Sequence, residues 1–277
     1  VLHSQCDKER DMSSPASPFV PPARSHLPFA EQGDGTGAPV ILLHGFGGDH
    51  QTWLNIQTGL APRRRTLAFD LPGHGRALDW PRIGNAGVSA KAVVQSLEAL
   101  ELAPVHLVGH SMGGAVAALV ALRAPERVAS LTLLAPGGFG PEINHRLLRR
   151  YASTANELEL EPLLEQFFGY SFRMPRLFAR HAAELRQKPG AIEALATIVE
   201  EILDGEQQKT VEKAALADLG MPVKLIWGKQ DRVLPAVQAT GLPGTIACHV
   251  FENMGHMPHL ENPQAVIRLI LEASAAR

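Results

Sequence analysis

One recurring unit constrains the fold more than anything else in this chain: a short continuous apolar run, a turn, then a helical stretch. VILLH (40–44), RTLAFD (65–70), VHLVGH (105–110), SLTLLA (130–135), VKLIWG (223–228) and ACHVFE (247–252) are such runs. A strand covered on both faces has no side to give to water, so it reads as unbroken apolar sequence and not as an alternation. Between the runs, apolar residues recur at helical spacing: Val93, Val94, Leu97 and Leu100 in one stretch, and Val266, Ile267, Ile270 and Leu271 in the last. Strands alternating with helices predict an α/β fold, a mainly parallel sheet with helices on both faces.

The rhythm breaks once. Between Pro136 and Met221 no convincing strand occurs, while Leu160, Leu163, Leu164, Phe167 and Phe168 follow helical spacing, as do Ile192, Leu195, Ile198 and Ile202. The chain therefore divides into a core (28–136 and 221–277) and an all-helical cap insertion (137–220). A cap between two strands of such a sheet is expected over their carboxyl ends, where ligands bind. The plainer alternative is an accessory helical subdomain with no part in binding. Residues 1–27 are expected to form a flexible arm, since SSPASPFVPPARSHLP (13–28) is rich in Pro and Ser. Met12, at the head of MSSPASPF, reads as the natural start, which would leave residues 1–11 foreign to the natural protein.

Composition excludes several classes. A net charge of -2, with 19% charged and 45% hydrophobic residues, gives no basis for a nucleic-acid groove or an anionic membrane surface. No apolar run reaches the length of a membrane span, and VLHSQCDKERDM at the N-terminus is not a secretory leader. Two cysteines, Cys6 and Cys248, make no disulfide framework, so the expected location is the cytoplasm. No metal-ligand spacing appears, and neither a metal nor a cofactor is expected.

The chemistry centres on G-H-S-M-G (109–113), which follows one apolar run and opens the helical AVAALVALR. A serine at such a strand-to-helix turn needs glycine on either side to avoid steric clash, and its hydroxyl sits near a helix N-terminus that favours negative charge. Ser111 is the expected nucleophile. A hydroxyl needs a base, and His256 in NMGHMPHLE lies on a loop between the last strand and the final helix. His259 is its near rival. His44 and His74 read as residues of glycine turns, and His110 as the neighbour of the nucleophile. For the orienting acid, Asp231 follows VKLIWG, whereas the end of the earlier strand, LLAPGGFGPE, offers only Glu142. The oxyanion donors are expected to be the backbone N–H groups of Met112 and of Phe46 in HGFGG (44–48). Candidate pocket residues are His110, Phe139, Phe167, Phe168, Tyr170, Phe172 and Trp227, with Phe178 beside them; at least half of the cap aromatics are expected to be plain core.

HGFGG, DLPGHG (70–75), GHSMGG (109–114), WGKQD (227–231) and GHMPHLE (255–261), in this order, resemble the α/β-hydrolase superfamily over roughly residues 28–277. HGFGGDHQTW, APERVASLTLLAPGGFGPEIN and GLPGTIACHVFENMGHMPHLE are more closely similar to the hydrolase-like domain of acetoin dehydrogenase acetyltransferase (E2-type) subunits. Such subunits carry a lipoyl domain that residues 1–27 cannot hold. The His-x-x-x-Asp-Gly motif of the large 2-oxo acid complexes is also missing. The resemblance implies a serine esterase or thioesterase acting on a small-molecule acyl substrate. It leaves open acyl transfer with multienzyme-complex partners, carbon–carbon hydrolysis of a diketone, or a vestigial site. Oligomeric state is not legible.

Overall fold

The structure is a computed structural model that describes residues 24–275. The expected arm therefore lies largely outside the described residues, as do Cys6 and Met12. Leu27, which the sequence assigns to the arm, is buried, and its N–H donates to Ser96 Oγ.

Seven strands form one sheet: β1 (Phe29–Gln32), β2 (Val40–Leu43), β3 (Thr66–Phe69), β4 (Val105–His110), β5 (Val128–Leu134), β8 (Val223–Gly228) and β9 (Ala247–Phe251), in the order β1-β3-β2-β4-β5-β8-β9. All neighbours are parallel except β1, which runs antiparallel to β3 at the edge. The six apolar runs correspond to the six parallel strands, but β9 lies at the sheet edge and is largely exposed, not covered on both faces. FAEQ, which makes β1, is too short and too mixed to stand out in sequence; pairing with β3 holds it in place.

The alternation along β2 explains why the run had to be apolar throughout. Val40 and Leu42 join Trp53, Ile56, Leu60, Val266 and Ile270 on the face covered by α1 (Leu54–Leu60) and α9 (Pro263–Ala275). Ile41 and Leu43 point the other way, into the core shared with α2 (Ala86–Ala99) and α3 (Met112–Arg123). The carboxyl ends of the parallel strands all face the same side, which gathers the loops after β2, β4, β8 and β9.

The insertion between β5 and β8 contains α4 (His145–Ser153), α5 (Glu157–Leu164), α6 (Arg176–Arg186) and α7 (Ala191–Ile202), with α4 packed on α7 and α5 on α6. It is not purely helical. Leu203–Asp204 (β6) and Gln207–Gln208 (β7) make a small antiparallel hairpin. Two residues per strand leave no periodicity to read; the turn is set by Gly205 at φ 66.

Candidate active site

Ser111 stands between the last residue of β4 and the first of α3, with φ 52 and ψ -118. Positive φ is strained for a residue with a side chain, so the surroundings must hold it. The Ser111 N–H donates to Leu134 O (2.9 Å), and its carbonyl accepts from Gly114 N and Gly137 N (2.9 Å each). A Cβ on Gly109 would collide with the Gly113 carbonyl, and one on Gly113 with the Leu43 carbonyl. The flanking glycines are thus demanded by backbone-to-backbone approach.

Asp231 and His256 meet beside this turn. The His256 Nδ1–H donates to Asp231 Oδ2 at 2.7 Å, and both side chains are almost fully shielded from solvent. The carboxylate is saturated. Trp227 Nε1–H also donates to Oδ2 (3.0 Å), while Val233 N and Leu234 N donate to Oδ1 (2.8 and 2.9 Å). A carboxylate can only accept, so the proton lies on Nδ1, and Nε2 keeps its lone pair. Nε2 is buried and bonded to no described residue, including the Ser111 hydroxyl that opens on the same cavity. Without substrate such bonds are often long.

The rival base is disposed differently. His259 is buried between Trp53 and His110, its Nε2 lies 3.3 Å from Thr52 Oγ1, and burial lowers its pKa to about 3. Among the described residues no carboxylate is bonded to it. Glu142, the alternative acid, lies with its carbonyl accepting from Gln208 and Gln238, and its carboxylate from Gln238.

Phe46 and Met112 both line the cavity, and the N–H of neither is bonded within the described residues. For Met112 this follows from its place at the first position of α3. The loop that carries Phe46 is held by two histidines that sequence read only as turn residues. His44 Nε2 accepts from Leu71 N (2.9 Å) and its Nδ1–H donates to Gly45 O (2.8 Å). His74 Nε2 accepts from Gly47 N (3.0 Å) and its Nδ1–H donates to Pro72 O (3.1 Å). Accepting at Nε2 requires a neutral ring. Burial supplies it, lowering His44 and taking His74 to about 3.

Ser111, His256, Phe46 and Met112 share a cavity of about 780 Å³ under the cap. Of the candidate pocket residues, His110 and Phe167 line it, as does Phe178. Five others do not. Phe139 is buried against Trp227, whose Nε1–H is spent on Asp231 and on Leu234 O. Phe168 stacks on Phe172 (5.0 Å, 11°) and turns its edge to Phe178, so both fill the cap interior. Tyr170 is 72% exposed, with the Arg232 guanidinium 5.1 Å above its ring. Helical spacing reports that an aromatic is buried and not against what, which is why core and pocket were indistinguishable in sequence.

Sequence did not signal Tyr151, which lines the cavity and donates its hydroxyl to Gly47 O (3.3 Å), nor an ion pair at the cap–core junction. Asp49 accepts from His181 Nε2 of α6 at both carboxylate oxygens (3.1 Å each), and both residues line the cavity. Burial works to raise the Asp49 carboxyl, but the hydrogen bond and charge of His181 chiefly offset this, and the carboxyl is left lowered. Its bond to Asp49 raises His181. Asp49, His50 and Asp70 bring ligand-type atoms within 4.8 Å of one another. Asp70 is already engaged there by His50 and by Arg76 Nε (2.7 Å).

Comparison with known proteins agrees with this fold. Residues 40–269 match the profile of the alpha/beta hydrolase family. The chain is 36% identical over 88% of its length to the dihydrolipoyllysine-residue acetyltransferase component of the acetoin cleaving system of Pseudomonas putida. It is 34% identical over 84% to the same component from Cupriavidus necator. The aligned part spans 65% and 62% of those two proteins. Among solved structures it superposes on a meta-cleavage product hydrolase from Pseudomonas fluorescens IP01 with a TM-score of 0.78 at 24% identity. That match covers 89% of this chain and 93% of the other. With its parallel sheet, its serine at the strand-to-helix turn and a family match over most of its length, the chain belongs to the alpha/beta hydrolase family.

Proposed function

We propose that the protein is a serine hydrolase of the carboxylesterase type that cleaves a small or medium acyl ester or thioester through an acyl-enzyme on Ser111. The observation that carries this reading is the buried Asp231–His256 pair, whose Nε2 has no partner among the described residues and whose histidine lines the same cavity as Ser111. Nε2 takes the hydroxyl proton as Oγ attacks the substrate carbonyl. The Phe46 and Met112 N–H groups receive the oxyanion, and Asp231 stabilises the imidazolium. Nε2–H then protonates the departing alcohol or thiol. Water, deprotonated by the same nitrogen, releases the acid and restores Ser111. No step calls for a metal or a cofactor.

The cavity supports a substrate larger than an acetyl ester. A volume of about 780 Å³ is in the range of sites for drug-sized ligands, and an acetyl group would leave most of it unfilled. Phe46, Leu148, Phe167 and Phe178 make its wall largely apolar. The proposed location is the cytoplasm, on cysteine usage alone.

A second reading is acyl transfer, in which a thiol replaces the water that releases the acyl group. It is favoured by the 36% likeness to an acetyltransferase component and would bring complex partners with it. The test is labelling with a fluorophosphonate followed by mass analysis, then a chain-length panel of p-nitrophenyl esters with and without a thiol acceptor. Ser111→Ala is expected to abolish labelling and to lower kcat by about 10⁶-fold, with His256→Ala similar and Asp231→Ala milder. Near-normal turnover by Ser111→Ala refutes the reading. Product appearing on the thiol favours transfer, and activity on diketones without activity on esters favours carbon–carbon hydrolysis.

A further inference from the structure

The backbone of His256 is gripped on every side, and two of the groups that grip it have no role in the mechanism above. The His256 carbonyl accepts from His110 Nε2–H at 2.7 Å. Its N–H donates to Phe167 O in the cap, also at 2.7 Å. The amides before and after it converge on one carboxylate. Gly255 N donates to both oxygens of Glu261 (3.0 Å each), and Met257 N donates to Oε1 (3.3 Å). Gly169 N of the cap donates to the same Glu261, at 2.9 Å.

We infer that His110 and Glu261 are positioning residues that set the register between nucleophile and base. His110 is adjacent to Ser111 in the chain and ends β4, where it pairs with Leu134 of β5. A bond from its ring to the His256 carbonyl therefore spans directly from the rigid nucleophile turn to the base loop. The ring has little freedom. It lies 4.9 Å from the His256 ring and 4.5 Å from that of His259, and a Cβ on Gly45 would press on its Nδ1 and Cε1. Burial, with His259 and His256 nearby, keeps its pKa well below the ordinary value, so no charge develops beside the base. Glu261 acts from the opposite side. By holding the amides on both flanks of His256 it prevents the loop from rotating about the His110 bond, and through Gly169 it ties that orientation to the seated cap. Saturated hydrogen bonding of this kind orients a reacting group without touching the substrate.

This inference rests on His256 being the base, and the two fail differently. If His256→Ala keeps near-normal turnover, the base reading falls. The positioning role is tested with His110→Leu, which removes the donor at similar size, and His110→Gln, which restores an amide donor. Purified proteins of matched fold, by circular dichroism, are assayed on a p-nitrophenyl ester and titrated with a fluorophosphonate across pH. His110→Leu is expected to lose about 10²-fold in kcat with KM little changed, the loss typical of a reacting group displaced by about 1 Å. Labelling of Ser111 slows with it and its pH inflection moves, while His110→Gln recovers most of the rate. Unchanged kcat in His110→Leu, or no recovery in His110→Gln, overturns the inference. So does an effect confined to KM, which would make His110 a substrate contact. Should His110→Leu not fold, Glu261→Gln reads the same register by turning an amide donor toward N–H groups. Unchanged kcat and labelling in that variant are equally decisive against it.

Discussion

Replacing Asp49 by Asn isolates the ion pair that ties the cap to the core. Asn keeps the size of the site and an oxygen for the N–H of Gln51, to which Asp49 Oδ1 is bonded at 3.0 Å as the cap of the short 3-10 turn 50–53. The charge-assisted contact with His181 is lost, and with it the longer approach of His50 Nδ1 to Asp49 Oδ2 at 4.0 Å. Hydrogen bonds to charged groups contribute about 1.5–3 kcal/mol, but the His181 side chain is 29% exposed and partly screened, so the expected loss is about 1–2 kcal/mol. For a chain of this size that is a fall of about 2–8 °C in Tm. The sign follows from the two shifts. His181 is raised, so its share is complete below the unfolded value and disappears as pH rises through the folded one; Asp49 is lowered, so its share persists until pH falls through its folded value. The gap between wild type and Asp49→Asn is therefore widest between about pH 4 and 6.5 and closes on the alkaline side. His44 and His50 face Asp49, and Glu184 and Lys188 face His181; the Asp49 charge that works to raise His44 is removed along with the pair. Thermal melts of both proteins at about pH 5.5 and 8.5 measure it. A gap that is the same at both values, or no gap at all, refutes the ion-pair argument.

Other outcomes follow from single contacts. Trp227→Phe removes the indole N–H shared by Asp231 Oδ2 and Leu234 O, so two buried acceptors lose a donor. A destabilisation of about 1–3 kcal/mol in urea unfolding is expected, with a lower kcat from the loosened carboxylate. Gly47→Ala places a Cβ against the Tyr151 ring at φ 74, which shifts the loop carrying the Phe46 N–H. Steady-state assays should show kcat falling by up to about 10²-fold, the lower end of the cost of a lost oxyanion donor. Across an ester panel, kcat/KM should rise from acetate toward medium acyl chains; a maximum at acetate would contradict the cavity argument.

The sequence by itself determined the sheet and pointed to the proposed reacting groups. A strand buried on both faces must be apolar throughout, and a serine lifted on a strand-to-helix turn must have Gly109 and Gly113 beside it, so both constraints are written as local patterns. His256 and Asp231 were legible because each follows a recognisable strand at the sheet's carboxyl edge, and Asp231 was preferred because the stretch after β5 offers no Asp and only Glu142. Edge strand β1 escaped notice because pairing with β3, not its own composition, makes it a strand. What only the tertiary structure decided is which buried groups face one another. Phe139 and Phe168 became core, half-buried Phe172 packed on Phe168, and Phe167 and Phe178 became cavity wall by the way the cap helices pack. His44 and His74 turned from turn residues into supports of the Phe46 loop. Asp49 met His181 across 132 positions, and His110 met the carbonyl of His256 across 146. A hydrogen bond depends on distance and direction in space, and at such separations neighbouring residues in the chain carry no trace of it.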